Sequence, residues 1–481
     1  MSRRDKVTET STPFRDIRNA DSSQVIKRAW WIIFLNFLIP GSVQVLAGNR
    51  KLGRIGLFFT FGFWGFLLLA VFLGLVSKVA LFTILMTPFV AIPLGILFII
   101  YAALVAFFGL DSLRLMSLAQ THNRSKLLVV VLVLVSTVCS AFFQGTIGST
   151  ALSASGFVSG TFVNSGNLEP HKGRYNILIL GGDSGSDRFG LRPDSISVLS
   201  ISAETGEAVN IGLPRNLSHV RFTPGTPIHK IYPYGFDHNC GGDCMLNAIY
   251  KATIDNYSYI YPTAHSKGST SGIEATKSAV QWITGLKIDA YVLINMRNFT
   301  GLIDAIGGID VTVKKALPIG GQQDCVQSYE PADPAEKEHY RPGTATEAMG
   351  WYCPDAMGWI EKGKQHMDGR TALWYARSRH NTNDYDRMKR QRQVENIVLK
   401  KLDLPTLVFK FSAIAGASSK LIRTDIPAGS VPSLMDLALR AKGHGLHSVA
   451  LTNADDSRIN SANPDYSYIR AKIAHNLKKY E

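Results

Sequence analysis

Hydrophobic positions in this chain follow two regimes. Between residues 29 and 145 they form long runs, and beyond about 170 they come in short bursts separated by polar turns. Three runs, 55–76, 79–108 and 127–143, approach or exceed the ~20 apolar residues a helix needs to cross a bilayer. A fourth, 29–47, contains Asn36 and is interrupted by Pro40-Gly41-Ser42. Proline removes a backbone donor and disfavours a straight helix, so this run predicts a re-entrant or interfacial hairpin. The Gly- and Ser-rich stretch 144–172 predicts a linker.

Beyond the linker the pattern is that of an α/β domain. NILIL (176–180), SISVLSIS (195–202) and AVNIGL (208–213) read as strands, with Gly and Asp marking the gaps. Helical spacing follows over 245–259 and 272–284, then a strand at AYVLIN (290–295), a short helix at 299–306 and a strand at IDVTV (309–313). Residues 317–358 predict a long irregular insert, and loops of that length are uncommon as filler. Helices are expected again over 371–376 and about 386–402, and a strand at HSVALT (447–452).

Charge adds sidedness. The chain carries a formal net charge of +14. Residues 1–150 hold 14 basic against 5 acidic side chains, and residues 151–481 hold 37 against 32. Much of the basicity therefore lies beside apolar runs, which fits a membrane surface better than nucleic acid. No zinc-finger spacing, helix-turn-helix pattern or basic-aromatic interleaving is present. The tail 1–28 has seven Lys and Arg; Arg50, Lys51 and Arg54 follow the broken run, and Arg114, Arg124 and Lys126 precede the last one. The excess of positive charge on cytoplasmic loops places the tail and both basic links inside, with three crossings leaving everything after 145 outside. The expected organisation is a cytoplasmic tail (1–28), a transmembrane region (29–145), a linker (146–172) and an external domain (173–481).

The cysteines fit an external domain. Cys139 lies within a span, while Cys240, Cys244, Cys325 and Cys353 lie beyond it. Four thiols outside a membrane favour two disulfides, with Cys240–Cys244 and Cys325–Cys353 the simplest of three connectivities. A four-cysteine zinc site is the rival, although the spacings do not match a zinc ribbon.

Candidate chemistry gathers around the first three strands. The first runs into Gly181-Gly182-Asp183, the second is entered through Arg192-Pro193-Asp194, and the third leaves through Pro214-Arg215. Side by side, these strands would collect carboxylates and guanidinia at one sheet edge, the usual ligand crevice of open α/β sheets. Hard oxygen donors suit Mg²⁺, and planar guanidinium forks suit phosphate or pyrophosphate. Farther on, GRTALWYARSRHNTNDYDRMKRQRQVENIVLKKL (369–402) carries Arg377, Arg379 and Asp384, then Arg387 and Gln391 at helical i, i+4 spacing. Read alone, such arginines also describe a solvated helix face.

Taken in order, LGGDS, LRPDSI, GLPRN, HKI, INMRNFTGLIDAIGGIDVTV, DGRTALWYARSRH and DYDRMKRQRQV make the chain resemble the LytR-CpsA-Psr family of bacterial cell-envelope proteins over roughly 174–402. The resemblance implies an α-β-α sandwich with a central mixed sheet behind an N-terminal transmembrane region. It also implies a phosphotransferase that moves a glycopolymer, with one phosphate, from a polyprenyl-pyrophosphate carrier to peptidoglycan. Positions matching Asp183 and Asp194 would hold Mg²⁺ (or Mn²⁺), and those matching Arg192, Arg215, Arg377 and Arg379 the pyrophosphate. Positions matching Asp384, Arg387 and Gln391 would line the same site, with Arg188 and Lys230 added on looser alignment. Asp194, Arg215 and Asp384 are the candidate catalytic residues. Expected partners are the lipid-linked polymer, peptidoglycan and membrane lipid, and no nucleic acid. The chain departs from the family pattern at Asn216, where many members carry Asp, and in the 317–358 insert. A lipid-pyrophosphate hydrolase and a non-catalytic lipid-linked glycan receptor are the rival functions.

Overall fold

The computed structural model describes residues 22–116, 123–163, 166–182, 192–238, 240, 244–320, 326–328, 340–341, 350–352, 356–378, 384–401, 406, 410, 412–417, 422–444, 446–453 and 456–480. Two compact units are present, Met1–Ser155 and Gly156–Glu481.

In the first unit, α1 (Ser22–Leu38), α2 (Ser42–Ala47), α3 (Arg50–Val76), α4 (Lys78–Met86), α5 (Pro88–Leu115) and α6 (Asn123–Thr161) follow one another. Arg50–Val76, Pro88–Leu115 and Lys126–Thr161 are long and apolar enough to cross a membrane. The run expected over 79–108 is not one span. It divides at Thr87-Pro88, because proline cannot continue the preceding helix and instead occupies the first turn of α5. The nine residues of α4 are too short to cross.

The predicted break in the first run is present between α1 and α2. Apolar surroundings leave freed carbonyls without water, so they require protein donors. Thr60 Oγ1 donates to Pro40 O at 2.8 Å and Trp64 Nε1 to Leu38 O at 3.2 Å. Gly41, at φ +94°, lies so close to Gly56 that a Cβ would stand 2.7 Å from the Gly56 Cα. No side chain fits there.

The linker expectation is corrected in part, since α6 continues to Thr161. Gly148 of this stretch serves helix packing. A Cβ on Gly95 of α5 would lie 2.9 Å from the Gly148 carbonyl, and one on Gly109 2.1 Å from Thr137 Oγ1. Small residues of this kind let apolar helices approach closely.

In the second unit the strands are β1 (Arg174–Gly182), β2 (Pro193–Ser202), β3 (Ala208–Leu213), β4 (Ala290–Asn295), β5 (Ile309–Val313), β6 (Leu317–Gly320), β7 (Val326–Ser328), β8 (Tyr340–Arg341), β9 (Gly350–Tyr352), β10 (Ala356–Ile360), β11 (Gly363–Met367), β12 (Ile422–Thr424) and β13 (Leu446–Ala450). Six form a mixed sheet in the order β12-β4-β1-β2-β3-β13. β1 runs parallel to β4 and antiparallel to β2, and β3 runs antiparallel to β2 and parallel to β13.

Alternation along the strands builds two layers of core. Leu178, Leu180, Val198 and Ile211 pack with the helices Ile249–Tyr257, Ser271–Thr284 and Tyr466–Lys479. Ile177, Ile201, Ala208 and Ala290 pack on the opposite side with Leu437 of the Val431–His444 helix. This is the expected α-β-α arrangement. Capping fixes the central helix of the first layer: Thr270 Oγ1 accepts from Ile273 N, and Gly285 ends the helix in the left-handed region.

A second core sits among β5, β11 and the helices Met296–Ala305, Gly369–Arg377 and Asp384–Lys401. The insert expected to be irregular over 317–358 contains short strands: β6 pairs with β10, and β9 pairs with both β7 and β8. Runs of two to five residues among Gly and Pro are too brief for alternation to announce them.

Candidate functional site

The register of the main sheet gathers four strand termini. Gly182, the last residue of β1, lies opposite both Pro193, the first residue of β2, and Asn295, the last of β4. Leu213, the last of β3, lies opposite Ile196. The carboxyl ends of β1, β3 and β4 and the start of β2 thus share one end of the sheet, where open α/β sheets bind ligands. Asp194 stands at this end on β2, Arg192 immediately precedes that strand, and Arg215 lies two residues past Leu213. Pairing shifts between Gly181 and Gly182, so Asp194 is the extra residue of a bulge opposite them. Bulges re-aim side chains, and they concentrate beside active sites.

The loop after β3 is held by its backbone. Asn247 N donates to Arg215 O at 3.0 Å and Leu246 N to Leu217 O at 2.9 Å, while Leu217, Val220 and Phe222 are buried. Arg215 itself is half-buried. Lys230 lies on the short helix Pro227–Ile231 and is exposed.

The arginine-rich segment reaches the same sheet end through the helix Met296–Ala305, which begins directly after β4. Against that helix packs Gly369–Arg377, at so short a distance that a Cβ on Gly369 would stand 2.1 Å from Thr300 O. Only glycine permits this approach. Gly369 N donates to Asp304 Oδ1 at 2.7 Å, and Asp368 caps the new helix by accepting from Thr371 N at 2.8 Å. Arg377 is the final residue of this helix, its guanidinium 5.4 Å from the Trp374 ring centre.

Arg390 locks the next helix, Asp384–Lys401, onto the previous one. Its Nε donates to Tyr375 O at 2.9 Å, and it also bonds Ser378 O. Arg387 and Gln391, predicted to share a helix face, are 2% and 9% exposed. Burial lowers the Arg390 pKa and raises that of the Tyr375 phenol. It also pushes the Glu395 carboxyl up to about 7, with Arg392 pulling the other way.

The structure therefore brings Arg192, Asp194 and Arg215 to one sheet end. It sets Arg377, Asp384, Arg387 and Gln391 on the adjoining helix pair. The side chains of Asp194 and Asp384 are outside the described residues, as are Asp183, Arg188 and Arg379 altogether. Among the described residues no group of three or more His, Cys, Asp or Glu side chains converges as a metal site. The donor chemistry expected for a divalent ion, carboxylate oxygen from Asp183 and Asp194, suits Mg²⁺ by type. Cys240 and Cys244 form a disulfide with Cα atoms 5.2 Å apart, which removes them from the alternative zinc set. Cys325 and Cys353 fall outside the described residues. Sequence reading places Arg390 at i+3 from Arg387 but gives it no role, because that role depends on a carbonyl 15 residues away, and it missed Glu395. The signal for Glu395 was its position four residues after Gln391, on the same helical stripe.

A mixed sheet flanked by helices, with long apolar N-terminal helices, defines a membrane-associated α/β protein that carries arginines at its strand ends and on an adjoining helix pair. The chain belongs to the LytR_cpsA_psr family, whose model matches residues 158–480. It is 28% identical over 269 residues to Biofilm regulatory protein A of Streptococcus mutans, covering 54% of this chain and 52% of that one. It is 24% identical over 255 residues to the polyisoprenyl-teichoic acid–peptidoglycan teichoic acid transferase TagU of Halalkalibacterium halodurans, covering 52% of this chain and 61% of that one. The matched region thus spans about half to three-fifths of these relatives' lengths. The crystal structure of Bacillus subtilis TagV aligns with 19% identity and a TM-score of 0.39, covering 64% of this chain and 98% of that one.

Proposed function

We propose that this chain transfers a glycopolymer, with one phosphate, from a polyprenyl-pyrophosphate carrier to peptidoglycan. The observation that carries the reading is the register that brings Asp194 and Arg215 to one sheet end, beside the helices bearing Arg377 and Arg387. The names of relatives that transfer teichoic acid to peptidoglycan support the same reaction class.

The chemistry follows from the residue types. A sugar hydroxyl of the acceptor attacks the phosphorus joined to the polymer. The new P–O bond forms as the bond to the lipid phosphate breaks, and polyprenyl phosphate leaves with the electron pair. The hydroxyl proton passes to a carboxylate, for which Asp194 and Asp384 are the candidates. Arg192, Arg215, Arg377, Arg379 and Arg387 spread the charge of the diphosphate oxygens, and no protein nucleophile is required. Arg188, Lys230 and Gln391 complete the set that would bind the diphosphate. A Mg²⁺ or Mn²⁺ ion held by Asp183 and Asp194 would supply further charge neutralisation.

The three long apolar helices suit a substrate that stays in the bilayer, because tethering raises the encounter rate. The basic tail and links support a cytoplasmic N-terminus with the domain outside. The test is incubation of the purified full chain with Mg²⁺, a lipid-pyrophosphoryl oligosaccharide and a peptidoglycan fragment, followed by mass analysis. A phosphodiester-linked conjugate and polyprenyl phosphate are the expected products. Release of the phosphorylated sugar to water, unaffected by the acceptor, would make it a hydrolase instead.

A further inference from the structure

The helix Asp384–Lys401 has a second functional face. Arg387, Gln391, Val394 and Val398 point into buried surroundings, while the opposite face lines a cleft with β5. That cleft encloses about 570 Å³ and is walled by Lys389, Arg392, Asn396 and Lys400 on the helix and by Asp310 and Thr312 on the strand. At 1.5 Å rise per residue the helical wall is roughly 16 Å long, the reach of several sugar units. Lys364 of β11 pairs with Thr312 and extends the strand wall on the same face.

The electrostatics are one-sided. Three cations, Lys389, Arg392 and Lys400, line the cleft with one carboxylate, Asp310, whose Oδ1 lies 2.8 Å from His366 Nδ1. Among the described residues neither Lys389 nor Lys400 takes part in an ion pair. Ile397 gives the floor an apolar patch. The Asn396 amide and the Thr312 hydroxyl supply hydrogen-bonding groups along the walls. Cations spaced along a groove, amide and hydroxyl groups, and a small apolar floor match a glycan that carries phosphate or carboxylate groups.

We infer that the cleft between β5 and the outer face of Asp384–Lys401 binds an anionic stretch of the glycopolymer, away from the reacting phosphorus. This rests on the transferase reading for its biological setting, and it deepens that reading by giving the polymer's charged repeat units a track. The helix would then hold the diphosphate on one face and the polymer on the other.

The experiment uses the full chain in phosphatidylcholine nanodiscs, titrated with poly(glycerol phosphate), oligogalacturonate and neutral dextran. Binding of either polyanion, weakening as salt rises and absent for dextran, is the expected result. Phosphate-only or carboxylate-only binding identifies the charged group. The double variant Lys389→Glu/Lys400→Glu, its fold checked by circular dichroism, should bind about tenfold or more weakly. A control at distant exposed positions, Lys478→Glu/Lys479→Glu, should bind like the unmodified chain. Equal binding by both double variants, or no binding of either polyanion, overturns the inference. Transfer of a donor truncated to one or two sugars is measured in parallel. If that transfer persists while polymer binding is unchanged by the cleft variant, the cleft fails and the transferase reading stands; if that transfer is absent from every variant, it is the transferase reading that fails.

Discussion

Asp194 of β2 and Arg215 after β3 each lie two residues beyond the Ile196–Leu213 pair, the last rung joining those strands. They stand at the same sheet end, and Asp194 is the additional residue of the bulge opposite Gly181 and Gly182. Asp194→Asn, a near-isosteric change that removes the carboxylate charge, is expected to retain the wild-type melting temperature while lowering transfer by roughly 10²-fold or more. Arg377→Ala should do the same, because its guanidinium stacks on Trp374 at the helix terminus and supports little of the core. Calorimetry beside the mass assay checks both. Full activity in either variant would remove that residue from the site.

Much of this arrangement was legible in the sequence. β3, β4 and β5 fall where the alternation of Ile, Leu and Val put them, and the backbone positions of Gly182, Pro193 and Leu213 meet at one sheet end, while Asp183 lies outside the described residues. Three features were not legible, each for a physical reason. The division of the second apolar run at Pro88 competes with uniform hydrophobicity over 79–108, which carries no periodic signal. The helical course of 144–161 depends on Gly95 and Gly148 meeting across two helices, and local composition mimics a linker there. The Arg390 bonds to Tyr375 O and Ser378 O join residues 15 and 12 apart, a tertiary relation that helical spacing alone does not specify.

A buried ion pair secures the edge of the sheet. Lys277 on the Ser271–Thr284 helix bonds Asp425, and the two side chains are 11% and 12% exposed. Asp425 Oδ1 also accepts from Tyr291 N at 2.7 Å, tying the carboxylate to β4. Removing Asp425 leaves Lys277 only its longer contact with Glu274, at 3.4 Å, in a poorly solvated place. Asp425→Ala is expected to destabilise the fold by about 3–5 kcal/mol. Lys277→Met/Asp425→Asn should recover part of that loss, since it leaves neither member of the short pair charged. Denaturant titration of the four species gives the coupling directly.

Glu395 makes stability depend on pH. Its carboxyl is raised from an ordinary 4.5 to about 7 by burial. Between those values the folded chain keeps a proton that the unfolded chain releases, so stability falls as pH rises through this window. Above about pH 7 both states are ionised and the penalty is constant. Glu395→Gln should therefore match the wild type near pH 4.5 and exceed it increasingly up to pH 7, by about 1–3 kcal/mol at the plateau. Melting curves from pH 4.5 to 8 measure the difference. A gain that is constant across this range would mean that the carboxyl is not the titrating group.

The β7–β9 ladder bears on the remaining cysteines. Val326 lies opposite Tyr352, with Gln327 opposite Trp351 and Ser328 opposite Gly350. Cys325 and Cys353 are next in the chain to Val326 and Tyr352 and lie outside the described residues. With Cys240 and Cys244 bonded to each other, a second disulfide between Cys325 and Cys353 is the expected pairing. Peptide mapping of the unreduced protein should recover 325 and 353 in one cross-linked species. Closing a loop of 27 intervening residues should add about 3 kcal/mol, so Cys325→Ser/Cys353→Ser is expected to unfold at lower denaturant. Free thiols at both positions in protein purified under oxidising conditions, or recovery of zinc with the untreated chain, would contradict the pairing.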